Sequence, residues 1–210
     1  MAKNSIITIG RQFGSGGHEV GRRLAAQLGL KLYDKELLKM AAEESNICEQ
    51  VLKDYDEKPY SSLLYSIVMD VYPSMNYVGN SLSQQVYQAQ YDTIRRIGEG
   101  GGGVIGGRAA DYILRDNPRL TSVFIHASME YRMKRVTEFE HIDEAKAKDM
   151  IVKADKKRAS FYNFQTEKKW GAASSYNLSL DTSDIGIDGC VRMIELYLEQ
   201  KKKGQHKSQN

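Results

Sequence analysis

Apolar positions along the chain follow two periods. Ser5–Gly10 (SIITIG), Leu120–His126 (LTSVFIH) and Tyr176–Thr182 (YNLSLDT) are short runs rich in β-branched and large apolar residues, as buried strands are. LKLYD, ending at Asp34, and the VI pair inside EGGGGVIGGR (Glu99–Arg108) add two shorter strands; the latter is expected at the centre of the sheet. Between them the spacing changes to the helical one. His18–Leu28 carries Val20, Leu24, Ala25 and Leu28 on one face, and Gly29 suits a left-handed cap behind it. KELLKMAAEESN, Ser81–Gly98, SMEYRMKRVTEF, Ile142–Phe164 and Ile185–Leu198 predict further helices. Strand, helix, strand at this spacing makes right-handed βαβ units, so five parallel strands build a three-layer α/β/α sandwich. From Ile47 to Tyr77 the pattern loosens, and Tyr60, Tyr65, Tyr72 and Tyr77 are expected to pack a small helical subdomain or to stack a base.

The first strand runs into a turn with Gly10, Gly14, Gly16 and Gly17. Residues without a Cβ let backbone N–H groups converge on an anion, and the following helix points its positive end at the same place. A phosphate is the natural guest. The G-x-x-x-x-G-K-[ST] pattern is nevertheless broken: Gly17 stands where the lysine belongs, and Glu19 follows two places later. Glycines that only permit a tight turn are one alternative. A dinucleotide pattern opened by Gly14 and Gly16, with Asp34 on the ribose, is another.

Composition narrows the class. At 210 residues the chain is long enough for a sizeable core. No apolar run of membrane-spanning length and no charged-then-apolar leader occur, so a cytoplasmic protein without membrane contact is expected. The net charge is +3, but Lys201, Lys202, Lys203 and Lys207 outweigh it; they are expected to sit in a solvated, frayed tail, and no nucleic-acid face is implied. Cys48 and Cys190 lie far apart outside any C-x-x-C pattern and read as ordinary thiols.

Charged residues at strand ends and helix faces supply the remaining candidates. Arg108, after Gly106 and Gly107, can fork onto a phosphate or be a surface charge. Tyr33 and Asp34 end the second strand, where Asp34 can serve a ligand or cap the next helix. Arg132 with Arg135, and Asp155 with Arg158, are each three apart on a helical face, an arrangement usually solvated.

Taken together, IITIGRQFGSGGHEVGRRLA, KLYDKELL, GVIGGRAADYIL, VFIHASMEYRMKRV, DKKRASFYNF and YNLSLDTS resemble the cytidylate kinase-like proteins over nearly the whole chain. The resemblance implies a P-loop nucleoside triphosphate hydrolase-like fold in one domain: a core over 1–45, 100–141 and 174–202, a monophosphate-binding helical insert over 46–99, a lid over 142–173 and a tail over 203–210. It implies ATP and Mg²⁺ as cofactors and phosphoryl transfer to a nucleoside monophosphate, CMP or dCMP first. Arg11, Gly14, Ser15, Gly16, Gly17, His18 and Glu19 would then hold ATP, and Tyr33, Asp34, Arg108 and Asp111 the acceptor. Arg132, Arg135, Asp155 and Arg158 would serve catalysis, and Asp181 the base or adenine side. The missing lysine leaves two openings: Glu19 as an Mg²⁺ ligand with Arg11 or Arg22 as the replacement cation, or Glu19 and His18 as plain first-turn residues. Gly17→Lys is expected to raise turnover if the loop keeps the ordinary register. A non-catalytic nucleotide or phospholigand sensor, a kinase for another small acceptor, a dinucleotide oxidoreductase and a homo-oligomer stay open.

Overall fold

The structure, a computed structural model, describes residues 4–45, 47–56 and 82–207. The tyrosine-rich stretch holding Tyr60, Tyr65, Tyr72 and Tyr77 lies outside the described residues. In chain order the described elements are β1 (Ile6–Arg11), α1 (Gly17–Leu28), β2 (Leu32–Tyr33), α2 (Lys35–Ser45), α3 (Glu49–Tyr55), α4 (Leu82–Glu99) and β3 (Gly103–Gly106). They continue with α5 (Ala110–Ile113), β4 (Leu120–His126), α6 (Met129–Glu140), α7 (Glu144–Thr166), β5 (Leu178–Asp181) and α8 (Thr182–Lys207).

The five strands form one parallel sheet in the order β2-β3-β1-β4-β5. β1 holds the centre because it pairs with both β3 and β4; β3, expected there, is interior but one place aside. Alternation along the strands sorts the core into two layers. Ile7, Ile9, Val104, Val123 and Ile125 meet Val20, Leu24 and Ala25 of α1 and Val191, Ile194 and Leu198 of α8. Ile6 and Ile105 face the other way, onto Leu37, Ile94, Ile97 and Ile113. The fully buried Leu24 alone contributes roughly 1.5–3 kcal/mol relative to exposure. Helices on both faces of a parallel sheet give a three-layer α/β/α sandwich.

Helix limits follow backbone chemistry. Gly29 takes φ 63°, and the turn there returns its N–H to Ala25 and Ala26 carbonyls, the left-handed cap its position predicts. The C-terminal lysines depart from expectation. Helix α8 runs to Lys207, with a break in helical geometry at Gly186. Lys201, from its inner face, donates to the Leu120 carbonyl and to Thr121 Oγ1, and burial lowers its pKa. Among the described residues no helix is long and apolar enough to cross a membrane.

Candidate functional site

Parallel strands bring all their carboxyl ends to one edge, and the turns after β1, β2, β3 and β4 meet there. The turn after β1 is held by side chains that the sheet brings from far along the chain. Ser15 is fully buried; its hydroxyl donates to the Gln12 carbonyl at 2.8 Å and accepts from the Gly17 N–H at 3.3 Å. Thr182, opening α8, donates its hydroxyl to the Ser15 carbonyl at 2.6 Å. Gln12 accepts the Ala127 N–H at 3.2 Å. Gly14 and Gly16 take φ 77° and 81°, which a residue with a Cβ adopts only at a cost. The first-turn N–H groups of α1 have no helical partner and point out of this turn.

Gly17 needs no unusual φ; it is small for another reason. A Cβ there would stand 2.5 Å from Arg11 Cβ and 3.3 Å from Ile125 Cβ. The stem of Arg11, last residue of β1, thus fills the space a residue-17 side chain requires. The Arg11 guanidinium lies 3.5 Å from Asp34. Glu19 is turned along α1: it accepts from Arg22 at 2.9 and 2.7 Å and from Arg23 at 2.7 Å. The Arg22 and Arg23 bonds hold its carboxyl at about 2, against the opposing effect of burial. Both oxygens are therefore engaged, which does not fit the expected Mg²⁺ ligand. Arg22 is 57% exposed and paired with Glu19.

The turn borders an open cleft of about 810 Å³. Arg11, Phe13, Gly14, Gly16, Gly17, His18, Glu19 and Asp34 come from the first third of the chain, Arg135 and Phe139 from α6, Arg158 from α7, and Ile187 from α8. Arg135 lies over the Phe139 ring at 5.2 Å, and Arg158 over the Phe13 ring at 5.7 Å while donating to the Arg11 carbonyl at 3.1 Å. Arg132 and Asp155 stand behind the turn. Arg132 is 5% exposed and donates to Asp155 at 2.5 Å, and the other Asp155 oxygen accepts the Phe13 N–H at 2.7 Å. This pair clamps the glycine turn to α7 and does not face the cleft.

Arg108 is reached through Gly107, Arg108 and Ala109, at φ 69°, 56° and 53°. Successive left-handed residues, two of them not glycine, store strain of a kind concentrated at binding sites. The turn folds the guanidinium back over the strand end, where it is 5% exposed. It donates to the Gly106 carbonyl at 3.0 Å, to Asp34 at 3.4 Å, and with two nitrogens to Asp56 at 2.9 and 2.8 Å. Asp34 also lies 3.4 Å from His18 Nε2. Burial raises the Asp34 carboxyl, but Arg11, Arg108 and His18 outweigh it and leave its pKa below the ordinary value.

The other two expected acceptor residues, Tyr33 and Asp111, differ in their surroundings. Tyr33 packs on Ile6, Ile105 and their neighbours and carries the Lys31 ammonium over its ring, because side chains alternate along β2 and Tyr33 points into the core. Asp111 accepts the Tyr162 hydroxyl at 2.7 Å beneath Arg108, beside a void of about 20 Å³; burial raises its pKa, with the Tyr162 bond opposing. Asp181 accepts from Ser183 and approaches His126 Nδ1 at 3.5 Å. Asp56 and Thr182 carry contacts that no motif signalled: each meets its partner across long stretches of chain. Among the described residues no group of three or more His, Cys, Asp or Glu is placed to hold a metal.

The model of a cytidylate kinase-like family matches residues 6–184. The chain belongs to the cytidylate kinase-like family. The match spans every turn of the cleft. Comparison with curated proteins finds no match. Among solved structures, an uncharacterized protein from Eubacterium ventriosum is 33% identical over 93% of this chain and 98% of its own, with TM-score 0.70. A gluconokinase from Sinorhizobium meliloti (13% identity, 99% of both chains, TM-score 0.53) and a shikimate kinase from Bacteroides thetaiotaomicron (16%, 93% and 98%, TM-score 0.51) share the fold. The fold of this family member is thus the one these kinases share.

Proposed function

We propose that the protein transfers the terminal phosphoryl group of ATP to a nucleoside monophosphate, CMP or dCMP first. The supporting observation is the packing at the glycine turn: the stem of Arg11 occupies the place beside Gly17, and a cation from the strand end would stand in for one from the helix. The backbone of Gly14, Ser15, Gly16, Gly17 and His18 would cradle the donor phosphates, with Arg11 beside them. Arg135 and Arg158, in the same cleft, would neutralise charge on the transferred group. Arg108 would take the acceptor phosphate, with Asp34 orienting its guanidinium. Phosphoryl transfer asks for alignment and charge neutralisation and needs no covalent nucleophile. Mg²⁺ would arrive held mainly by phosphate oxygens and water, and supply further neutralisation between donor phosphates. The segment 46–99 would form the acceptor insert and 142–173 a lid excluding water, in one domain located in the cytoplasm.

The test is a coupled assay with Mg-ATP across the common nucleoside monophosphates. Arg108→Ala is expected to lower kcat/KM for the acceptor roughly a hundredfold, the worth of a charge-assisted two-bond contact. No turnover with any monophosphate would sink the reading. A second reading, a kinase for another small acceptor, is favoured by one observation: Arg108 already has two carboxylates beside it, Asp34 and Asp56. Turnover on a hydroxyl acceptor alone would select it, and ATP binding without any turnover would select a sensor.

A further inference from the structure

We propose that Asp56 is a specificity-determining residue that competes with the acceptor's anionic group for Arg108. The inference rests on the reading of Arg108 as the acceptor's anchor. Asp56 closes α3 as its C-terminal cap, and its two oxygens accept from Arg108 Nε at 2.9 Å and from a terminal nitrogen at 2.8 Å. That is the two-pronged geometry by which a guanidinium holds a phosphate. Gln90 of α4 donates to Asp56 Oδ1 at 3.2 Å and keeps the carboxylate in place. Asp56 is 22% exposed and Arg108 5%, so the pair is largely withdrawn from water and an incoming anion reaches this edge of the guanidinium only by displacing the carboxylate.

The consequence is a filter on charge. A carboxylate ligand exchanges one carboxylate for another at Arg108 and gains little. A dianionic phosphate brings more charge and further acceptor oxygens, and so displaces Asp56 with a net gain. Asp34 remains on the far side of Arg108 at 3.4 Å and keeps the guanidinium aimed when Asp56 leaves. Among the described residues, the groups that accept from Arg108 thus divide into a holder, Asp34 with the Gly106 carbonyl, and a competitor, Asp56.

The experiment titrates inorganic phosphate and acetate into the full chain, following calorimetry and the ¹⁵N resonance of Arg108 Nε. Asp56→Asn keeps the shape and the Gln90 contact and removes the charge; Asp56→Ser serves if the amide itself binds Arg108. Either variant is expected to bind phosphate about tenfold more tightly, ~1.4 kcal/mol, and to bind acetate detectably where the unaltered chain does not. The gain must vanish in the Arg108→Ala background, which separates this site from the glycine turn. Unchanged or weaker phosphate binding in both variants overturns the proposal, as does an Arg108 Nε resonance in the unaltered chain that ignores saturating phosphate. Tighter phosphate binding without any transfer to nucleoside monophosphates leaves the filter standing and removes the kinase. Transfer with an acceptor KM untouched by Asp56→Asn removes the filter and leaves the kinase.

Discussion

Placing a lysine in the glycine turn is the sharpest test of how the cleft is built. Judged from sequence, Gly17→Lys repairs a broken phosphate loop and raises turnover. The packing predicts the reverse. A Cβ at position 17 meets Arg11 Cβ at 2.5 Å, Arg11 Cγ at 3.1 Å and Ile125 Cβ at 3.3 Å. The closest atom belongs to the rigid base of the Arg11 side chain, one bond from the β1 backbone, so a rotamer change leaves the clash standing and α1 must lift off the sheet. Overpacking of this kind costs about 1–3 kcal/mol. In a chain of this length each kcal/mol lowers the melting temperature by about 2–4 °C. Gly17→Lys is therefore expected to melt roughly 2–12 °C lower by calorimetry or circular dichroism, with no gain in phosphoryl transfer. Gly17→Lys combined with Arg11→Gly is expected to recover part of that loss, because the two side chains contend for one space; a double-mutant cycle reads this as coupling between neighbours. An unchanged melting temperature and faster turnover in the single variant would refute the reasoning, and would show that the turn accepts lysine in the ordinary register.

Other consequences follow from the buried charges. Asp155→Ala strands Arg132, 7% exposed at its side chain, and frees the Phe13 N–H; losing one partner of a buried pair costs about 3–5 kcal/mol, which urea unfolding would register, and a loss below 1 kcal/mol would refute the clamp. Asp111, raised above the ordinary carboxyl value by burial, is protonated more readily folded than unfolded. Its contribution is therefore favourable at acid pH and is lost as pH rises from about 3.9, the unfolded carboxyl value, through the folded value. Asp111→Asn, which cannot ionise, is expected to flatten this part of the stability–pH curve; an unaltered slope would show that Asp111 is ordinary.

The strands, most helix limits and the anion-cradling turn were legible in the sequence because each depends on near neighbours. SIITIG is a buried strand by its own alternation, and Gly29 caps α1 by its own lack of a Cβ. The arginines were legible only as candidates. Arg132 and Arg135 occupy equivalent-looking positions on one helix, yet Arg132 is buried against Asp155 and Arg135 lines the cleft. Their spacing puts both on one side of α6, and only the approach of α7 divides their work. Glu19 was open between metal ligand and helix residue; its arginine partners at positions 22 and 23 stood in plain view, and its carboxylate turns along the helix to both of them.

By itself the sequence determined the layer architecture, the glycine turn and the membership of the cytidylate kinase-like family, since periodicity, glycine placement and motif order are properties of short stretches. Tertiary structure alone decided what each charge does. Arg11 takes the place beside Gly17 because β1 and α1 pack that closely. Arg108 meets Asp34, 74 residues away, because the parallel sheet brings the ends of β2 and β3 together, and Asp56, 52 residues away, because α3 ends beside them. Charges act over a few ångströms through space, and no spacing along the chain records which of them will be brought within that reach.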